Sequence, residues 1–223
     1  MQEGMGVSRE TGPEFRERPT REEVERLPPF VGLPLARIQV LRSPAQFEAA
    51  RQAIAQARFV GFDTESRPTF TKDAVRSGPH VIQFALRDSA FIVQLNDSVP
   101  LAFLKEVIES QEIVKVGFGL RSDRGPLHAR LGLRLGAAVE LSHLLRALRF
   151  RSELGVKAAV AVVLGQRMQK QKSVTTSNWA LPELTPKQRV YAANDAYAAL
   201  EVFHAMGAPW PLPGPPASIG PAR

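Results

Sequence analysis

Cysteine is absent from this chain of 223 residues, which removes disulfides, thiolate metal centres and thiol nucleophiles in one step. Histidine is scarce. The four present, His80, His128, His143 and His204, never fall three or four residues apart, so they cannot supply the paired helical ligands of a zinc site and read as ordinary structural or surface residues. Any metal must then rest on oxygen or on an isolated imidazole. No apolar run approaches the ~20 residues that span a bilayer, and the N-terminal MQEGMGVSRETGPEFRER has no basic region leading into an apolar one. The expectation is a soluble, cytoplasmic protein without a membrane partner. A dinucleotide loop is missing too: Gly117 and Gly119 open a G-x-G, but the third glycine of G-x-G-x-x-G would stand at 122, where Ser122 is found.

Acidic residues are thin over one sector. Residues 115 to 172 hold twelve Lys or Arg against three acids, while residues 1 to 36 hold five Arg against seven Glu, so the formal charge of +7 is concentrated in the middle of the chain. Such a sector suits a polyanionic partner, although a solvated basic face kept for solubility gives the same count. With 44% hydrophobic and 23% charged residues, the chain is long enough to bury one substantial core.

Residues 1–36 mix Gly, Pro and charges and then give LPPFVGLPL, which reads as a mobile arm followed by an extended segment laid on the domain surface. Residues 209–223 read as a Pro-rich disordered tail. Between them, residues 37–208 alternate short apolar runs with amphipathic stretches. IQVL, RFVGFD, HVIQFAL, AFIVQL and EIVKVGF read as strands, with HVIQFAL and AFIVQL forming a hairpin across RDS. FEAARQAIAQA, LAFLKEVIES, SDRGPLHARLGL and VKAAVAVVLG read as helices, AAVELSHLLRAL as a strand edge running into helix, and a last long helix spans about Thr185 to Met206. The predicted fold class is α/β, a mixed central sheet with antiparallel hairpin strands and helices on both faces.

Within this pattern, FVGFDTES (59–66) places Asp63 and Glu65 two positions apart on a strand, so both carboxylates face the same side, ~7 Å apart along the backbone. No cation in the strand offsets them. In YAANDAYAALEVF, Tyr191 and Asp195 stand at i and i+4 on one helical face; an exposed acid beside a rim aromatic would have the same spacing. In VKVGFGLRSDRGPL, Asp123 falls near a helix start, where a carboxylate also serves as a cap.

Taken together, FDTE, KVGFGLRSDRGPL and YAANDAYAALEVF resemble the three ordered motifs of the DEDD superfamily of 3'-5' exonucleases, with its DnaQ-like or ribonuclease-H-like fold. The tyrosine four residues before the last aspartate is similar to the DEDDy branch, and KSVTTSNWALPELTPKQRVYAANDAYAALEVF resembles Werner-syndrome-type and ribonuclease-D-type exonucleases. The resemblance covers roughly residues 40 to 208.

As the resemblance implies, Asp63, Glu65, Asp123 and Asp195 hold two divalent cations, Mg²⁺ or Mn²⁺. Hard oxygen ligands suit such ions. Asp63 would bridge the pair, Glu65 and Asp195 would complete one site, and Asp123 would hold the second ion partly through water. Tyr191 would orient the attacking water, its phenol being a poor base at neutral pH. Thr64 would offer its backbone to the terminal nucleotide, and Arg121, Arg124, Lys170 and Lys172 would track the phosphates of a nucleic acid with a free 3' end, single-stranded DNA or RNA. The product would be a 5'-mononucleotide. QRMQKQKSVTTSNW reads as a flexible basic loop, with Trp179 either packed beneath it or stacked on a base. Two alternatives stay open: an oligoribonuclease-like enzyme clearing very short RNA, and a nucleic-acid-binding module of the same fold without catalysis.

Overall fold

The computed structural model describes residues 16–68, 78–95, 100–169 and 172–210. A six-stranded sheet runs in the order β1-β4-β3-β2-β5-β6, built from β1 (Ile38–Val40), β2 (Phe59–Glu65), β3 (Val81–Ala85), β4 (Ala90–Gln94), β5 (Val114–Gly117) and β6 (Ala138–Glu140). The β2-β3 and β3-β4 pairs are antiparallel, while β1-β4, β2-β5 and β5-β6 are parallel. It is the mixed sheet expected from the sequence. Strand alternation divides β2 between two layers. Val60 and Phe62 join a core with α2 (Pro44–Gln56), α3 (Leu101–Glu109) and α4 (Leu120–Leu131), whereas Phe59 packs at 5.0 Å on Phe203 of α8 (Pro186–Ala205), on the opposite face.

Helix α8 lies close to the sheet because the middle of its buried face is a run of alanines. Ala192, Ala193, Ala196, Ala198 and Ala199 are buried, and Gly61 of β2 meets the Ala196 carbonyl so closely that a Cβ at 61 would collide with it. The helix begins at a full capping box, the Thr185 side chain accepting from the Gln188 N–H and Gln188 from Thr185 N–H, with Pro186 at the first position. Those signals were legible in TPKQ.

Three elements depart from the sequence reading. Inside the segment taken as an arm, α1 (Arg21–Arg26) forms behind a Thr20 and Glu23 capping box. The expected helix over VKAAVAVVLG is α-helical only as α6 (Val156–Ala159) and continues as a π-helical stretch, Val160–Leu164, where β-branched Val160, Val162 and Val163 weaken the preference for a regular α turn. The basic loop contains a helical turn, α7 (Lys172–Thr175), and Trp179 is 1% exposed beneath it. A further turn of helix, α5 (Leu141–Leu144), follows β6. No helix among the described residues is long and apolar enough to cross a membrane.

Candidate active site

Strand β2 pairs with β3 out to Glu65 but with β5 only as far as Gly61. Its last residues therefore run past the end of β5. Asp63 and Glu65 lie on this overhang and face α8, where Asp195 stands one residue before Ala196, the contact point of Gly61. Asp63, Glu65 and Asp195 each present a carboxylate oxygen, and these oxygens lie within 4.8 Å of one another. The close approach of Gly61 to α8 thus sets the spacing of the acids.

Asp123 comes from the other layer. Gly117, which ends β5, would drive any Cβ into the Phe62 carbonyl and Leu120, so its bare backbone lets the chain turn tightly against β2 and begin α4 beside the overhang. Thr64, pointing away from Asp63 by strand alternation, donates from Oγ1 to Asp123 Oδ1 at 2.7 Å. Capping of α4 falls instead to Glu140 at the end of β6, which accepts from the N–H groups of Gly119 (3.1 Å) and Leu120 (2.8 Å). Asp123 is consequently free of the capping role that its position allowed. It stands beside the three-carboxylate cluster rather than within it.

The electrostatics of the cluster are unfavourable in the metal-free protein. Burial, followed by the charges of Asp195, Glu65 and Asp123, pushes the Asp63 carboxyl well above the usual carboxylate range, with only the Thr64 N–H (2.9 Å) pulling it down. Glu65 is pushed up to about 8 by burial and by Asp195 and Asp123. Asp195 is raised to about 6 by burial, against the Tyr191 hydroxyl and the Lys157 charge, which oppose the rise. Burial likewise raises Asp123 to about 6, with the Thr64 bond opposing. None of the four acids has an ion-pair partner among the described residues. A crowded, half-buried set of hard oxygen donors with no ion-pair partner among the described residues suits a divalent cation.

Tyr191 completes the group. Its oxygen accepts from Thr175 Oγ1 at 3.2 Å, and burial and Asp195 hold its ionisation above the ordinary phenol value. A tyrosine held neutral positions and donates; it does not act as a base.

The chain matches, over residues 38–208, the family described as 3'-5' exonuclease. It belongs to that family. Over 151 residues it is 34% identical to the mouse bifunctional 3'-5' exonuclease/ATP-dependent helicase WRN, a match that takes in 66% of this chain and 11% of that protein. An Arabidopsis thaliana 3'-5' exonuclease is 26% identical over 148 residues, 65% of this chain and 51% of the relative. The chain thus spans about half, or far less, of these relatives. The fold is shared with the Nibbler EXO domain of Aedes aegypti (TM-score 0.67, 22% identity, 80% of this chain and 90% of that one). It is shared also with Escherichia coli RNase D (TM-score 0.64, 18% identity, 77% of this chain and 45% of that one). A structure of Trypanosoma brucei RNase D with RNA U12 aligns with a TM-score of 0.67, at 17% identity over 86% of this chain and 66% of that one.

In this 3'-5' exonuclease domain the expected substrate-contacting residues are dispersed. The Thr64 N–H is engaged by the Asp63 carboxylate. Arg121 and Arg124 are exposed on α4 around a hollow bounded by Glu140 and His143, apart from the three-carboxylate cluster. Lys170 and the side chain of Lys172 lie outside the described residues, as do residues 1–15 of the arm and 211–223 of the tail. Lys157, whose charge is felt at Asp195, and Thr175, which supports Tyr191, escaped the sequence reading; neither stands in a recognisable spacing with the acids, being 38 and 20 residues before Asp195.

Proposed function

We propose that the protein is a two-metal-ion 3'-5' exonuclease that hydrolyses phosphodiester bonds of single-stranded DNA or RNA from a free 3' end, releasing 5'-mononucleotides. The observation that carries this reading is the convergence of Asp63, Glu65 and Asp195 within 4.8 Å, with Asp123 tied beside them through Thr64 and no protein cation paired to any of them among the described residues. Divalent ions at such a site supply the positive charge that a phosphodiester transition state requires and lower the pKa of water.

The chain's own residues do the positioning. Asp63, Glu65 and Asp195 would hold one ion, with Asp63 shared to a second that Asp123 would hold from the α4 side. Tyr191, fixed by Thr175 and kept neutral, orients water next to Asp195. β2, whose end is uncovered by β5, leaves an open edge by which a strand terminus can approach. The basic sector between residues 115 and 172 attracts a polyanion to the domain.

The test uses a single-stranded oligonucleotide labelled at its 5' end, incubated with Mg²⁺, Mn²⁺ or EDTA. The expected result is a descending ladder of 5'-labelled products with either ion and none with EDTA. Release of the label as the first product, or cleavage that persists in EDTA, overturns the reading.

A further inference from the structure

Buried polar side chains in folded proteins almost always find a hydrogen-bond partner. Gln83 does not. It lies on β3, is 0% exposed, and neither its Oε1 nor its Nε2 has a partner among the described residues. The two other buried polar residues, Gln188 and Lys115, are satisfied. Gln188 Nε2 donates to Ser177 Oγ (3.0 Å) and to the Asn178 carbonyl (3.2 Å), and Lys115 Nζ donates to the carbonyls of Ser110 (2.7 Å) and Ile113 (2.6 Å).

Register fixes what Gln83 faces. It stands directly opposite Asp63 of β2 and Ile92 of β4, and residues opposite one another share a face of the sheet. That face is the one covered by α8: Val81 and Ala85, two residues to either side of Gln83, pack there with Ile92 and with Ala192, Ala193 and Ala196. These neighbours are apolar. The backbone of the sheet offers no acceptor, because β3 is paired along both edges. Among polar groups on this face, Gln94 Nε2 is spent on the Leu181 carbonyl (3.0 Å), and Glu65 lies a step further along, opposite Val81. Asp63 remains. Its carboxylate accepts from the Thr64 N–H at Oδ1 (2.9 Å), and the ~4.5–5.5 Å that separates the Cβ atoms of an opposed pair is within the span of a glutamine side chain.

We propose that Gln83 is a positioning residue for Asp63: its Nε2–H group holds the Asp63 carboxylate in the orientation that the cation-loaded cluster requires. The proposal rests on the reading of Asp63 as a divalent-cation ligand. Groups that hydrogen-bond to a metal ligand from outside fix its direction and strengthen the site. An amide suits this place because it gives a hydrogen bond without charge. A lysine or arginine at 83 would pair with Asp63 and compete with the cation, and an acid would add to the repulsion already present. An unpartnered buried amide destabilises the metal-free fold, which is the cost of keeping the donor beside Asp63.

The experiment is calorimetric titration of the full chain with Mn²⁺, without nucleic acid, for wild type, Gln83→Met and Gln83→Leu, together with thermal melts of each protein in EDTA. Both replacements keep most of the buried volume and remove the amide. In EDTA they should melt at or above wild type, since an unpartnered polar group gives way to an apolar one of similar shape. Mn²⁺ binding should weaken by about 10- to 100-fold, the loss that follows removal of a group that orients a metal ligand. On a single-stranded oligonucleotide the variants should need correspondingly more Mn²⁺ for half-maximal rate, with KM for the oligonucleotide near wild type. A side chain that only fills the core would leave Mn²⁺ affinity unmoved. Wild-type Mn²⁺ affinity in either variant overturns the proposal and leaves the exonuclease reading standing. Variants that melt clearly below wild type in EDTA overturn it too, because the amide would then be bonded within the metal-free fold. Wild type that binds no Mn²⁺ overturns the cation reading and the proposal with it.

Discussion

Asp63 shows how far a single position was legible. Its pairing with Glu65 on one face follows from strand alternation alone, but the third carboxylate, Asp195, is 132 residues away in sequence and was linked to it only by resemblance to a family. The raised carboxyls of Asp63 and Glu65 make a pH prediction. Their folded pKa values lie above the ~4 of an unfolded carboxylate, so the folded state binds more protons than the unfolded one between about pH 4 and the folded value, and stability falls as pH rises through that window. For Glu65 the window ends near 8. In EDTA, Glu65→Gln should therefore gain melting temperature relative to wild type between pH 5 and pH 8; a gap that shrinks over that interval would mean that the Glu65 carboxylate is stabilised by the fold. Tyr191→Phe removes the hydroxyl and no charge. Its kcat should fall on the order of 10²-fold with KM nearly unchanged, and an equal effect on both constants would make Tyr191 a substrate contact instead.

At the level of elements, two glycines decide the geometry. Gly61 lets α8 touch β2, and Gly117 lets α4 start beside it. Gly61→Ala should cost about 1–3 kcal/mol through overpacking against a backbone carbonyl that cannot rotate away, lowering the melting temperature by about 2–4 °C per kcal/mol for a domain of this size. It should also reduce activity by moving Asp195. Gly125 is the control: it lies inside α4 and a Cβ there meets nothing, so Gly125→Ala should stabilise by about 0.5–1 kcal/mol. Thermal melts of the two variants test both statements, and the close approach at Gly61 is wrong if that variant melts with wild type. The strands and long helices were readable because each obeys a period and carries its own punctuation, as in the TPKQ start of α8. The π-helical stretch after α6 and the Glu140 cap on α4 were not. The first arises where three valines crowd one turn, and the second joins residues 20 and 21 apart across the whole of α4 and the loop that leads to β6, which no local pattern encodes.

Over the whole molecule, charge is divided between a carboxylate cluster at the end of β2 and a basic sector between residues 115 and 172. Binding of single-stranded nucleic acid should weaken with salt, and replacing Lys170 and Lys172 together by Gln should flatten the dependence by up to ~0.7 logarithmic units per lost phosphate contact; an unchanged slope would place that segment away from the nucleic acid. The acids themselves are held together by folding against their own repulsion, in a form that a divalent cation relieves. Asp63→Asn removes one charge at nearly constant shape. The most direct measurement is a thermal melt of wild type and Asp63→Asn, each with EDTA and with Mn²⁺. Wild type should melt higher with Mn²⁺, by the ~2.7 kcal/mol that a ligand at about 100 times its Kd contributes, and Asp63→Asn should lose most of that rise while being at least as stable as wild type in EDTA. A metal-free Asp63→Asn protein clearly less stable than wild type, or one that keeps the full Mn²⁺ effect, would contradict the account, because Asp63 would then be a structural hydrogen-bonding residue and the cluster would not be a cation site.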